Sequence, residues 1–219
     1  SRRTIQDSRV LGTRNLVAGL RDADPRPRAL VCASGVGYYG PRGDERVTED
    51  AGPGDDFGAR LCVAWEREAA AARDLGMRVV SMRTAVVLDS DGGAMAKMLP
   101  FFRLGIGGPV AGGRQYLPWI HADDIVDMYL AALDDGEWDG PFNASAPEPP
   151  TNRDFSRALG RALHRPAVLP VPGFAVRLIY GDMAQIVTTG QRAVPARALE
   201  RGYSFRHTDL EAALRDAVA

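Results

Sequence analysis

Ala29-Leu30-Val31-Cys32-Ala33-Ser34-Gly35-Val36-Gly37-Tyr38-Tyr39-Gly40 is the stretch on which the fold turns. The run Ala29–Ala33 is apolar without alternation, the mark of a strand covered on both faces in a parallel sheet. Gly35 to Gly40 then satisfies the dinucleotide pattern G-x-G-x-x-G. That pattern holds a pyrophosphate only where a helix opens at once and aims its N-terminus at the anion. Here Pro41-Arg42-Gly43-Asp44 follows, which is a turn, and two tyrosines stand where backbone must approach phosphate. The stretch therefore reads as a glycine-rich active-site turn and not as a phosphate loop. A second glycine cluster, Gly105–Gly113, does not match the pattern and follows a helix.

Working outward, residues 1–22 read as a helix with Ile5, Val10, Leu11, Leu16, Val17 and Leu20 on a broad apolar face, stopped by Asp24-Pro25-Arg26-Pro27. Beyond the turn, 57–75 is a helix ending at Gly76, and 78–82 is a second buried-type strand. This β-α-β order makes a right-handed parallel crossover. A helix around 94–103, an extended piece at 117–120, a helix opened by Asp123 or Asp124, and a short strand at 141–144 follow. That helix carries Ile125, Val126, Tyr129, Leu130 and Leu133 at helical spacing. After Pro147–Pro150 come helices at 152–163, around 174–187 and at 208–218, with an extended piece at 168–171. The expected fold class is α/β: a partial Rossmann-type doubly wound parallel sheet with a smaller C-terminal α+β substrate lobe.

The chain has 219 residues, 45% apolar and 25% charged, with 27 basic and 28 acidic side chains. The near-neutral balance argues against a nucleic-acid partner. No apolar run approaches the ~20 residues of a membrane span, so no membrane partner is expected. Cys32 and Cys62 form neither a metal-ligand spacing nor a disulfide framework, so no metal is expected and a reducing cytoplasm is the simplest home.

Several side chains could carry chemistry, each with a plainer alternative. Ser34 could hydrogen-bond a substrate oxygen, or satisfy turn amides. Tyr38 and Tyr39 could supply a phenol acid or stack on a ligand ring, or pack the turn. His121 could act as an acid or donor, or end a strand structurally. Asp123 and Asp124 read as caps of the following helix. Lys97, Arg103, Arg114 and Arg192 suit an anionic ligand, or a solvated surface. Trp65 and Trp119 are more often core than ligand platforms, although Trp119 is retained as a substrate-contact candidate. Cys62 reads as a packed helix residue rather than a nucleophile.

The segments Ala33–Gly40, Val47-Thr48-Glu49, Trp65-Glu66, Arg83–Leu88, Gly92–Met95, Lys97–Pro100, Gly113–Tyr116, Trp119–Asp124, Gly140–Asn143 and Gln191-Arg192 together resemble extended short-chain dehydrogenases/reductases. More narrowly, they resemble the epimerase-family, nucleoside-diphosphate-sugar-epimerase-like oxidoreductases. The resemblance covers essentially the whole chain in order. It implies residues 1–146 as the C-terminal part of a Rossmann-like NAD(P)-binding domain, with 91–114 contributing to the substrate lobe, and 147–219 as that lobe. It implies an oxidoreductase or sugar-nucleotide epimerase using NADP(H) in preference to NAD(H), the alternative being a cofactor-binding sensor with little turnover. By resemblance, Ser34, Gly35, Gly37, Thr84, Ala85, Val86 and Val87 face the cofactor. Lys97, Arg103, Arg114, Trp119 and Arg192 face a small-molecule substrate, nucleotide-sugars included. Ser34, Tyr38, Tyr39 and His121 supply the chemistry.

Two departures stand out. The family's opening β-α-β units with their Gly-x-x-Gly-x-x-Gly turn, roughly 80 residues, have no counterpart in this sequence, so the chain is expected to start inside the family fold. Either such a segment or a second copy would cover the sheet edge. The wider family also uses Tyr and Lys four apart on a helix. Counting back from Glu66 puts Gly58 and Cys62 at those places, and neither can run that proton relay.

Overall fold

In a computed structural model of the chain, residues 2–174, 176 and 188–219 are described. Three parallel strands form the sheet: β1 (Ala29–Gly35), β3 (Arg78–Thr84) and β6 (Gly140–Ala144), in the order β1-β3-β6. Two short parallel pairs form separate sheets. β2 (Arg46–Val47) pairs with β7 (Arg192–Ala193), and β4 (Val86–Leu88) pairs with β5 (Trp119–His121). The register of the main sheet aligns Gly35, Thr84 and Ala144, so the C-terminal ends of its strands share one rim. That is the rim where open α/β sheets bind ligands.

Helices cover both faces, as the unalternating strands require. On one side lie α3 (Phe57–Ala70) and the opening helical run. That run comprises α1 (Arg2–Gln6), a π-helical segment (Asp7–Leu11), α2 (Gly12–Gly19) and a final 3-10 turn (Leu20–Asp22). Val17, Ala69, Ala72, Met77 and Val79 close that layer. On the other side α5 (Ala122–Asp134) packs Met128 and Ala132 on Val80, Met82 and Phe142. A third core joins α4 (Gly93–Arg103), α6 (Asn152–Ala162) and α8 (Leu210–Val218) through Met95, Leu99, Phe155, Leu159 and Leu214.

Several expectations shift. The apolar stripe of the opening run is split, with Val10 and Val17 buried but Leu11 and Leu16 exposed. Asp123 and Asp124 do not cap α5. The His121 Nδ1 accepts the Asp123 N–H at 3.2 Å instead. The buried Asp124 carboxylate accepts the N–H groups of Arg206 (2.7 Å) and His207 (3.0 Å). The extended piece near 117–120 becomes β5, and the last helix starts at Leu210 with Asp209 as its cap. The helix expected over 174–187 lies almost wholly outside the described residues. The late segment also returns to the sheet. β7 pairs with β2, and α7 (Ala196–Glu200) packs its Ala198 into the α5-side core.

Candidate functional site at the strand rim

Beyond β1 the chain makes a single 3-10 turn, Val36–Tyr39, and Gly40 reverses it at φ 63°. The returning loop crosses so closely that a Cβ on Gly54 would lie 2.7 Å from the Tyr39 carbonyl. Only glycine permits that crossing. α3, capped by the Asp56 carboxylate on the Ala59 N–H, then lays Gly58, Cys62 and Glu66 along one face at helical spacing. That face looks at the end of β1. The Cys62 sulfur packs beside Gly35, and Gly58 sits near the Gly37 carbonyl. The places where a Tyr-Lys pair would reach the rim are thus filled by a hydrogen and a thiol. Burial pushes the Cys62 thiol pKa up, against the opposing pull of Ser34 and the Gly35 amide.

Below the rim runs a buried polar network. The Ser34 hydroxyl donates to Glu66 Oε1 at 2.6 Å. Arg83 donates to both Glu66 oxygens at 2.9 Å, a two-pronged pair with side chains 4% and 16% exposed. Arg83 also donates to the Tyr39 hydroxyl at 3.0 Å, and that hydroxyl donates to Asn143 Oδ1 at 2.7 Å. The Asn143 N–H donates to Glu49 Oε1 at 2.9 Å, and its side-chain amide donates to the Val194 carbonyl at 2.9 Å. The Arg197 N–H completes Glu49 at 3.3 Å. Burial disfavours the Arg83 charge, but Glu66 and Tyr39 more than offset this and its pKa is raised. Burial also lifts the Tyr39 phenol to about 12, against the pull of Arg83.

The expected site residues divide accordingly. Ser34, Gly35, Gly37 and Thr84 cluster at the rim, with Ala85 donating its N–H to the Ala144 carbonyl and Val86 and Val87 leading into β4. Tyr39 is fully buried with its hydroxyl engaged on both sides, so it stands in the framework and presents no acid to the rim. Tyr38 turns beneath α3. Its ring lies under the Arg83 guanidinium at 3.4 Å and lines a cavity of about 320 Å³ with Glu66, Arg67 and Ser81. His121 belongs to another junction. Its ring stacks on His207 at 3.7 Å, and its Nε2 faces Asp216 of α8 at 3.2 Å. His121, Asp123 and His207 bring ligand-type atoms within 4.8 Å of one another, yet the His121 Nδ1 lone pair already caps α5. Trp119 is fully buried core beside Leu88 and Phe155, out of reach of a substrate.

The basic candidates are more scattered. Arg114 lines a second cavity of about 280 Å³ with Pro41, Asp44 and Gln115, between the rim loop and the C-terminal segment. Arg192 borders the same region, stacked over Tyr116 at 5.2 Å and 3.6 Å from Glu148. Lys97 and Arg103 are exposed on α4. Sequence reasoning missed Glu49, Arg83 and Asn143 as network residues. The one available signal was a charged residue, Arg83, next to Met82 near the end of a strand whose interior is mostly apolar.

Comparison with known proteins gives consistent results. The model of the NAD dependent epimerase/dehydratase family matches residues 1–144, and a domain of unknown function, DUF1731, matches 171–217. The chain is 38% identical over 216 residues to an Arabidopsis thaliana protein named epimerase family protein SDR39U1 homolog, chloroplastic, covering 98% of this chain and 62% of that one. It matches a crystal structure of the human epimerase family protein SDR39U1 with NADPH at a TM-score of 0.90 and 37% identity, covering 98% of this chain and 74% of that one. A nucleoside-diphosphate sugar epimerase from Corynebacterium glutamicum matches at 0.77 and 35%, covering 97% and 42%. The chain thus spans under two thirds of the Arabidopsis relative's length. Among the described residues no helix is long and apolar enough to cross a membrane.

Proposed function

The chain belongs to the NAD dependent epimerase/dehydratase family. From that premise we propose that it supplies the nicotinamide-facing rim and the substrate lobe of an NAD(P)-dependent oxidoreductase or sugar-nucleotide epimerase of the extended short-chain dehydrogenase type. The observation that carries the reading is the common rim of Gly35, Thr84 and Ala144, in a fold that matches a relative solved with NADPH. NADP(H) is favoured over NAD(H) on that relative alone.

The rim fits the nicotinamide end of such a cofactor. A Cβ on Gly37 would meet nothing within 4 Å, so the backbone there is open to a flat ring. Thr84 is half-buried beside it, with its hydroxyl donating to the Met82 carbonyl at 3.2 Å. Among the described residues, nothing at the rim matches a pyrophosphate. The bound nicotinamide would supply hydride transfer to or from a carbinol carbon. Ser34, its proton held by Glu66, offers lone pairs to a ligand donor. Arg114 and Arg192 face the anionic part of a small-molecule substrate, a nucleotide-sugar among the candidates. Two free thiols suit a reducing compartment, the cytoplasm in the first instance.

NADPH titrated into the chain and followed by the amide resonances of residues 34–37 and 84–87 tests the assignment. The expected outcome is localised shifts with weaker than micromolar affinity. Shifts centred elsewhere, or none at saturation, would sink it. A second reading, a cofactor-binding sensor with little turnover, is favoured by one observation: Gly58 and Cys62 stand where a Tyr-Lys pair would, and the Tyr39 hydroxyl is engaged in the core. A steady-state screen of NADPH oxidation with carbonyl substrates separates the two.

A further inference from the structure

The end of the molecule formed by α4 and its following loop carries a surface that the proposed reaction does not use. The loop after α4 runs beside residues 165–174, and the two are firmly joined. The Val171 N–H donates to the Pro109 carbonyl at 2.8 Å, the Ala111 N–H to the Val171 carbonyl at 3.0 Å, and Arg165 Nε to the Arg103 carbonyl at 3.0 Å. Gly108 approaches the Leu169 backbone so closely that a Cβ would collide with it. On this platform Leu104 (74% exposed), Val168 (74%) and Phe174 (75%) stand in water, with Ile106 and Leu169 about half exposed. Side chains of this kind, clustered rather than scattered, mark an interaction surface.

Along these two segments of the chain the charge has one sign. Between Asp91 and Asp123 the charged residues are Lys97, Arg103 and Arg114, and between Asp154 and Asp182 they are all arginines. This segregation occurs in a chain whose formal net charge is -1. Arg161 is paired with Glu211 of α8. Lys97, Arg103, Arg157 and Arg165 are exposed and have no carboxylate partner among the described residues. Two copies of this face would repel one another, whereas an anionic lipid surface satisfies both its features. Basic side chains meet headgroups while apolar tips enter the acyl boundary. We propose that this face docks on an anionic lipid bilayer, with Leu104, Ile106, Val168, Leu169 and Phe174 entering the interface and Arg103 and Arg165 at the headgroups.

Flotation of the 219-residue chain with vesicles tests this, because it separates bound protein from self-associated protein. One set of vesicles is pure phosphatidylcholine and the other contains phosphatidylglycerol. The chain is expected to float with the second set only, less so as salt is added. Leu104→Asp combined with Phe174→Asp is expected to abolish flotation. Arg103→Gln and Arg165→Gln are each expected to weaken it about fivefold, and they serve if the apolar variant fails to fold. Val126→Asp, on the exposed side of α5, is expected to float like the parent. No flotation with phosphatidylglycerol, equal flotation with both sets, or unchanged flotation of the charge variants overturns the proposal. So does a dimer by light scattering that Leu104→Asp dissolves, which would assign the face to a second copy.

Discussion

Arg83 shows how much one side chain inside a strand can organise. Its guanidinium meets the Glu66 carboxylate, the Tyr39 hydroxyl and the Tyr38 ring at once. Removing one partner from such a pair strands a buried charge, at a cost of about 3–5 kcal/mol. Arg83→Met should therefore lower stability by roughly that amount, measured by urea unfolding. Tyr39→Phe leaves Arg83 and Asn143 each short of a partner, and about 1–3 kcal/mol is the expected loss. A framework role also predicts that folded Tyr39→Phe keeps the cofactor affinity of the parent chain. Burial sets Glu49 apart from an ordinary surface acid. Burial raises its pKa above 4.5, although the amides of Asn143 and Arg197 oppose the rise. Just above pH 4.5 the native chain thus keeps a proton that the unfolded chain has released. The stability this group contributes is full below 4.5 and fades as pH climbs through its native pKa. Glu49→Gln should flatten the stability profile over that interval. An unchanged profile would mean that Glu49 titrates alike in both states.

The elements were legible in the sequence where apolar residues run without alternation, as in 29–33, and less plainly in 78–82, where Arg78 and Ser81 break the run; β1 itself is only partly buried. Their parallel order followed from the helix between them. The junctions were less legible, because they depend on pairs far apart in the chain. The Asp123-Asp124 doublet looks like a cap. Yet His121 fills that place, and Asp124 is held 82 and 83 residues away by the amides of Arg206 and His207. No local pattern announces such a bond. α5 shows the same limit, since Val126, Leu130 and Leu133 share its apolar spacing but stay exposed. Asp124→Ala should free the 203–209 segment from α5. The expected outcome is a lower melting temperature with early proteolytic cleavage in that segment, and cleavage elsewhere first would count against the tie. The rim residues Ser34 and Thr84 could be placed because the strands that carry them could be. The acid could not, since nothing in Tyr38-Tyr39 reveals that one ring turns under α3 and the other into the core.

For the whole molecule, the open side of β1 sets the behaviour in solution. β1 pairs with β3 on one side, and no strand among the described residues pairs with its other side. Leu11 and Leu16 of the opening helical run and Val126, Leu130 and Leu133 of α5 are also exposed. Unpaired edges of this kind recruit other chains. Light scattering on the purified chain should therefore find self-association, and a monodisperse monomer with a cooperative thermal transition would refute this. The bonds from the Asn143 amide to the Val194 carbonyl and from the Arg197 N–H to the Glu49 carboxylate bear on synthesis as well. A ribosome delivers Glu49 and Asn143 long before residues 194–197 emerge. Until then the interior must keep these polar groups wet, so the sheet cannot close behind the growing end. A nascent chain halted near residue 150 should remain protease-sensitive throughout its sheet. Release of the last third would lock early and late segments together in a single step.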